Sequence, residues 1–80
     1  KMNNDEILQK LNEIFVDTLD NEDIKLNLET TAADIEEWDS LRHIMLVVEI
    51  EKRLKIKFSS KEITKFKNVG DMVNSIASKF

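Results

Sequence analysis

The sequence predicts an all-α fold, a small four-helix bundle, on three observations. Proline is absent, and glycine occurs only at Gly70, so nothing interrupts long helical runs and little supports tight hairpins. Apolar residues recur at helical spacing in separate stretches of the chain. With 80 residues and no cysteine, the chain fits one domain over residues 1–80, held together by packed apolar side chains alone.

The elements follow in order. Asn3 with Glu6 reads as a capping box, and Ile7, Leu8, Leu11, Ile14, Phe15 and Leu19 then repeat at helical spacing, which predicts a first amphipathic helix over residues 4–19. From Asp20 to Asp39 the periodicity fades. Ile24, Leu26 and Leu28 alternate with polar residues, but no second strand exists to pair with them. The expectation is a long ordered loop between helices one and two, pinned by its apolar residues, Ile35 and Trp38 among them, with one turn capped by Thr31 and Asp34. A second helix is predicted from Ser40 to Lys55. Ser59 with Glu62 caps a short third helix carrying Ile63 and Phe66, and Asn68 opens a last one carrying Val69, Met72, Val73, Ile76 and Phe80. Lys52, Lys55, Lys57 and Lys79 fall late in their helices or just past them, where they complement the helix dipole.

Charge and hydropathy remove several function classes. Acidic residues outnumber basic ones by 16 to 12, a formal net charge of −4, and Lys and Arg are scattered rather than striped, against a nucleic-acid role. No apolar run approaches the roughly 18 residues of a membrane span, and no signal peptide begins the chain, so the expectation is a cytoplasmic monomer. Lys1 precedes Met2, which reads as a cloning remnant before the natural start of a free-standing protein.

The second helix has two apolar sides. At about 100° per residue, Leu46, Val47, Ile50 and Leu54 cluster on one side, and Leu41, Ile44, Met45 and Val48 on nearly the opposite one. One side is core. The other either lies under the long loop or forms a docking surface or sheath for an apolar cargo, and Met45 suits a surface that repacks against several partners.

Ser40 opens this helix, where the backbone N–H groups lack internal acceptors and the dipole is positive. Either Ser40 or Asp39 serves as N-cap; the same position also favours a phosphate ester on Ser40. A catalytic serine would need a base and an oxyanion hole, commonly with a glycine elbow such as G-x-S-x-G, and none is present. His43, the only histidine, falls on the core side and reads as a partly buried residue that caps or steadies the loop, the alternative being that it reaches a group attached to Ser40. Cysteine is absent, no histidine pair exists, and DNEDIKLNLETT lacks EF-hand spacing, so neither catalysis nor a structural metal is expected.

Asp39-Ser40-Leu41 opening a helix after a long loop, followed by IMLVVEIEKRLKIKF, resembles the acyl carrier proteins over nearly the whole chain. The resemblance implies that Ser40 carries a 4′-phosphopantetheine arm, added from coenzyme A by a separate Mg²⁺-dependent phosphopantetheinyl transferase. The arm's thiol would hold acyl groups as thioesters for the acyl-loading, acyl-transferring or condensing enzymes of fatty-acid, polyketide or related biosynthesis. The protein would then be a carrier and not an enzyme. By the same resemblance Asp39 assists the transferase, while Leu41, Ile44, Met45 and Val48, with Arg42 and Glu49 beside them, meet partner proteins.

The chain departs from the fatty-acid carriers in two ways. Glu37-Trp38 replaces the small pair that usually precedes the triplet, and Arg42 and Met45 stand where acidic residues are common. Both point to a specialised carrier, and an aminoacyl cargo, as in peptidyl or D-alanyl carriers, stays open. The rival from another class is an unmodified helical adaptor that binds through the second apolar face, with Ser40 only a cap.

Overall fold

In the computed structural model, which describes residues 2–80, α1 (Asn4–Leu19) begins at the expected capping box. Asn3 Oδ1 accepts from the Glu6 N–H, and Glu6 Oε1 accepts from the Asn3 N–H, both at 2.9 Å. The helix buries Ile7, Leu11, Ile14, Phe15 and Leu19, the stripe that its spacing predicted. It stops at Asp20, a left-handed residue with φ of 53°.

The long loop is ordered, as expected, by both side chains and backbone. Ile24, Leu26 and Trp38 are buried, and at a 3₁₀ turn (Ala32–Asp34) Asp34 Oδ2 accepts from the Thr31 N–H at 2.8 Å and from the Thr31 hydroxyl at 3.2 Å. Leu28 departs from the expectation: at 44% exposure its side chain is not part of the core. The alternation is instead fixed from α1, where Asn12 donates to the Ile24 carbonyl at 3.2 Å and accepts from the Leu26 N–H at 2.7 Å. Those two bonds supply the partners that a neighbouring strand would have given. No strand occurs among the described residues.

α2 (Ser40–Leu54) buries Leu46, Val47 and Ile50, and ends at Lys55 in the left-handed conformation. Its far face stays open. Leu41, Ile44, Met45 and Val48 are between 44% and 70% exposed, so the loop does not cover this face. The loop's buried apolar residues, Ile24, Leu26 and Trp38, belong to the core cluster instead.

α3 (Ser60–Lys65) is capped by Ser59 and Glu62 as expected, with Phe66 as its C-cap residue rather than a helical one. α4 (Val69–Ala77) starts at Asn68 and buries Val69, Met72, Val73 and Ile76. Phe80 lies beyond the helix and is 43% exposed, which corrects its placement on the apolar face. The helix closes at Ser78, so the periodicity that would have carried Phe80 inward has ended. α1 packs on both α2 and α4, with Arg53 of α2 paired to Asp17 of α1 at 2.7 Å.

Two loop carbonyls occupy the first turn of α4. The Val69 N–H donates to the Thr30 carbonyl at 2.9 Å, and the Gly70 N–H to that of Leu28 at 2.8 Å. These donors have no acceptor inside a helix, so the loop satisfies them and is itself held in place. The approach is close enough that a Cβ on Gly70 would lie 2.9 Å from the Leu28 oxygen.

Candidate functional site

The first turn of α2 brings Asp39, Ser40 and Arg42 together. Asp39, not Ser40, is the N-cap: its Oδ1 accepts from the Arg42 N–H at 2.8 Å, and its Oδ2 accepts from the Arg42 guanidinium at 2.8 Å. The Arg42 N–H holds the Asp39 carboxyl below its ordinary range, with the guanidinium charge adding to the effect. Because Asp39 takes the capping role, Ser40 occupies the first helical position with an exposed side chain that the cap does not use. The N–H groups of the first two helical residues, Ser40 and Leu41, have no intrahelical acceptor, so an anion placed at this turn meets free donors and the positive end of the dipole.

Beside Ser40 runs a groove of about 630 Å³ between the loop, α2 and α3, with Ala32, Ile44, Ile63 and Thr64 on its walls and Trp38, His43 and Phe66 also lining it. His43 joins the three elements. Its Nδ1 accepts from the Trp38 indole N–H at 3.0 Å, which puts the ring proton on Nε2, 3.2 Å from the Ile63 carbonyl that accepts it. The reading of His43 as a half-buried residue steadying the loop therefore holds, and its reach extends to α3. Glu37, before Trp38, accepts from Asn21 at 3.3 Å and fixes the other side of the approach.

The other surface residues singled out from the sequence line the outer side of the helix. Ile44 borders the groove and also a second depression that it shares with Met45, Val48, Glu49, Arg53, Asp17 and Thr18. Leu41 is the most exposed of them at 70%. Glu49 turns to its own helix, accepting from Arg53 at 3.1 Å. The groove had no signal in the sequence, because Ala32, Ile63 and Thr64 lie far from Ser40 along the chain and share no period with it.

Comparison with known proteins decides the family. Residues 9–76 match the model of a phosphopantetheine attachment site. The curated acyl carrier protein of Petrotoga mobilis is 31% identical over 78 residues, covering 98% of this chain and 92% of that one. The chain belongs to the acyl carrier protein family. A solution NMR structure of the holo acyl carrier protein from Geobacter metallireducens matches with a TM-score of 0.85 at 44% identity, over 90% of this chain and 83% of that one.

Members of the acyl carrier protein family are carriers rather than enzymes, and their prosthetic group is covalently attached 4′-phosphopantetheine. The first turn of α2 fits such a group. It offers an exposed hydroxyl, free backbone donors for a phosphodiester and an apolar groove within reach. No helix among the described residues is long and apolar enough to cross a membrane.

Proposed function

We propose that Ser40 is the attachment point and that the protein presents acyl intermediates, held as thioesters, to partner enzymes of fatty-acid, polyketide or related biosynthesis. One observation carries the assignment: in a chain of this family, Ser40 is exposed at the first turn of a 15-residue helix and is released from capping by Asp39. Ser59 offers no such hydroxyl, because its side chain caps α3, and Ser75 donates to Glu62.

The chain's own groups divide the work. In the transferase reaction the Ser40 oxygen forms the new bond to phosphorus as the pyrophosphate bond of coenzyme A breaks; adenosine bisphosphate leaves, and the hydroxyl proton passes to a base of the transferase. The Ser40 and Leu41 N–H groups and the helix dipole would hold the charge of such an ester. Arg42 keeps the Asp39 carboxylate paired, which lowers its repulsion of that ester. When bound, the group supplies a thiol at the end of a flexible arm, and that thiol forms the thioester.

Partner docking falls to the open strip of Leu41, Ile44, Met45 and Val48. Exposed apolar side chains that are contiguous on one helix face mark an interaction surface. The reading places the protein in the cytoplasm, where coenzyme A is available, as a monomer formed by one domain over residues 1–80.

The test is intact mass before and after incubation with coenzyme A, Mg²⁺ and a broad-specificity phosphopantetheinyl transferase. Wild type gains one phosphopantetheine. Ser40→Ala gains none and unfolds within about 0.5 kcal/mol of wild type, because Ser40 is not the cap. Modification of the Ala variant, or no gain in folded wild type, overturns the assignment.

A further inference from the structure

Basic residues, scattered over the chain as a whole, are dense in one segment. Seven of the 12 fall within residues 52–67 with a single acidic residue, Glu62, while the rest of the chain holds 15 acidic residues and five basic ones. Lys52 and Arg53 pair with Glu49, and Arg53 also with Asp17. The other five, Lys55, Lys57, Lys61, Lys65 and Lys67, are exposed and have no ion-pair partner among the described residues.

Three of these five border one depression. A groove of about 760 Å³ is lined by Lys61, Lys65 and Lys67 and, from α4, by Asn74 and Ser75. Its two carboxylates are already engaged. Glu62 accepts from the Ser59 N–H at 2.7 Å, from the Ser75 hydroxyl and from Lys79 at 3.0 Å, and Asp71 accepts from the Lys67 N–H at 2.9 Å.

This placement of charge works against the local structure. α3 is six residues long, and Lys61 and Lys65 stand four apart on it, where like charges repel. Lys61 also lies in the first turn, where the helix dipole disfavours a cation. No ion pair is gained in return, which points to a use outside the fold. We propose that the groove is a docking site for an acidic segment of a partner protein, whose carboxylates pair with Lys61, Lys65 and Lys67. A short segment meets only the lysines. A membrane surface or a nucleic acid is a continuous polyanion, and on a molecule measuring 30 × 25 × 22 Å it would extend over the acidic remainder of the chain. Within the basic segment Phe58 is buried and Phe66 half-buried, so no aromatic face is laid open to bases. The groove shares no residue with the exposed strip on α2, and the proposal does not rest on the Ser40 attachment.

The test follows the amide shifts of the isotope-labelled full chain as octaglutamate is added. Shifts are expected to saturate at low ionic strength, to fall within residues 57–67 and at Asn74 and Ser75, and to weaken as salt rises. Lys61→Glu is expected to weaken binding by roughly fivefold, with Tm unchanged or higher because a carboxylate suits the first turn of α3. Lys61→Gln, Lys65→Gln and Lys67→Gln together are expected to abolish saturable binding. Absence of saturable shifts in wild type, shifts spread equally to Lys10 and Lys25, or full binding by the triple variant overturns the proposal. A lower Tm for Lys61→Glu overturns it too, since the lysine would then serve the fold. Cosedimentation with phosphatidylcholine–phosphatidylglycerol vesicles, or a tighter complex with octathymidylate, overturns the choice of a protein partner. Loading of Ser40 is decided separately by intact mass, so failure of either reading leaves the other standing.

Discussion

Replacing Gly70 by alanine sets helix propensity against a close backbone approach. Gly70 is the second residue of α4, and in a helix interior Gly→Ala is favourable by up to about 1 kcal/mol. Here the added Cβ would stand 2.9 Å from the Leu28 carbonyl oxygen and 3.2 Å from Asn68 Oδ1, the cap of the same helix. That carbonyl cannot simply retreat, because it accepts from the Gly70 N–H at 2.8 Å, while the neighbouring Thr30 carbonyl accepts from Val69. Overpacking of this kind costs about 1 to 3 kcal/mol, and stretching the two hydrogen bonds costs up to about 1 kcal/mol each. The clash outweighs the propensity. The net expectation is a loss of about 1 to 3 kcal/mol, which for a domain of this size lowers Tm by roughly 5 to 20 °C. Thermal unfolding by circular dichroism and urea unfolding followed at Trp38 measure it. A Gly70→Ala protein as stable as wild type, or more so, would refute the claim that the loop seats itself on the α4 N-terminus.

Two further outcomes follow from named contacts. His43→Leu leaves the buried Trp38 indole N–H without an acceptor, a cost of about 1 to 3 kcal/mol, and His43→Gln, which keeps an acceptor, recovers part of it; equal urea midpoints for the two variants would count against the hydrogen bond. The Glu62 carboxyl is lowered from 4.5 to about 2, chiefly by the Ser75 hydroxyl, then by the Ser59 N–H and Lys79. Since its folded value lies below its unfolded one, its contribution is complete above about pH 5 and drains away as pH falls towards 2, so wild-type Tm should drop more steeply than that of Glu62→Gln across that window.

Local chemistry made much of the fold legible. Capping pairs at Asn3 and Glu6, Thr31 and Asp34, and Ser59 and Glu62, with Asn68 alone, mark every helix start but one, because a cap and its target lie three residues apart. The two apolar sides of α2 were readable for the same reason. Helix ends were not: α1 and α2 stop at Asp20 and Lys55 in left-handed conformations, which glycine would have announced and these residues do not. At the one ambiguous start, Asp39 and Ser40 are both good caps, and only the bond to the Arg42 N–H decides for Asp39. The long-range polar contacts were silent as well. Asn12 sits in the middle of α1, where a lone asparagine carries no pattern, yet it holds Ile24 and Leu26 across 12 and 14 residues.

These silent contacts decide what a tether needs, a root that is fixed and a tip that is free. The stretch leading to Ser40 is held from α1 through Asn12, from α4 through Val69 and Gly70, and from α2 itself through the Trp38–His43 bond. Each of these fixes the backbone or a neighbour of Ser40, and none uses its hydroxyl. Had Ser40 been the cap, the oxygen proposed here to form the ester would also be the acceptor that starts the helix, and the proposed modification would remove the cap. Asp39 takes that role one residue earlier, so the proposed modification of Ser40 leaves the cap of α2 in place. On the proposed attachment, two adjacent polar residues in a fixed order divide the work: Asp39 starts the helix and Ser40 keeps a hydroxyl that the cap does not use.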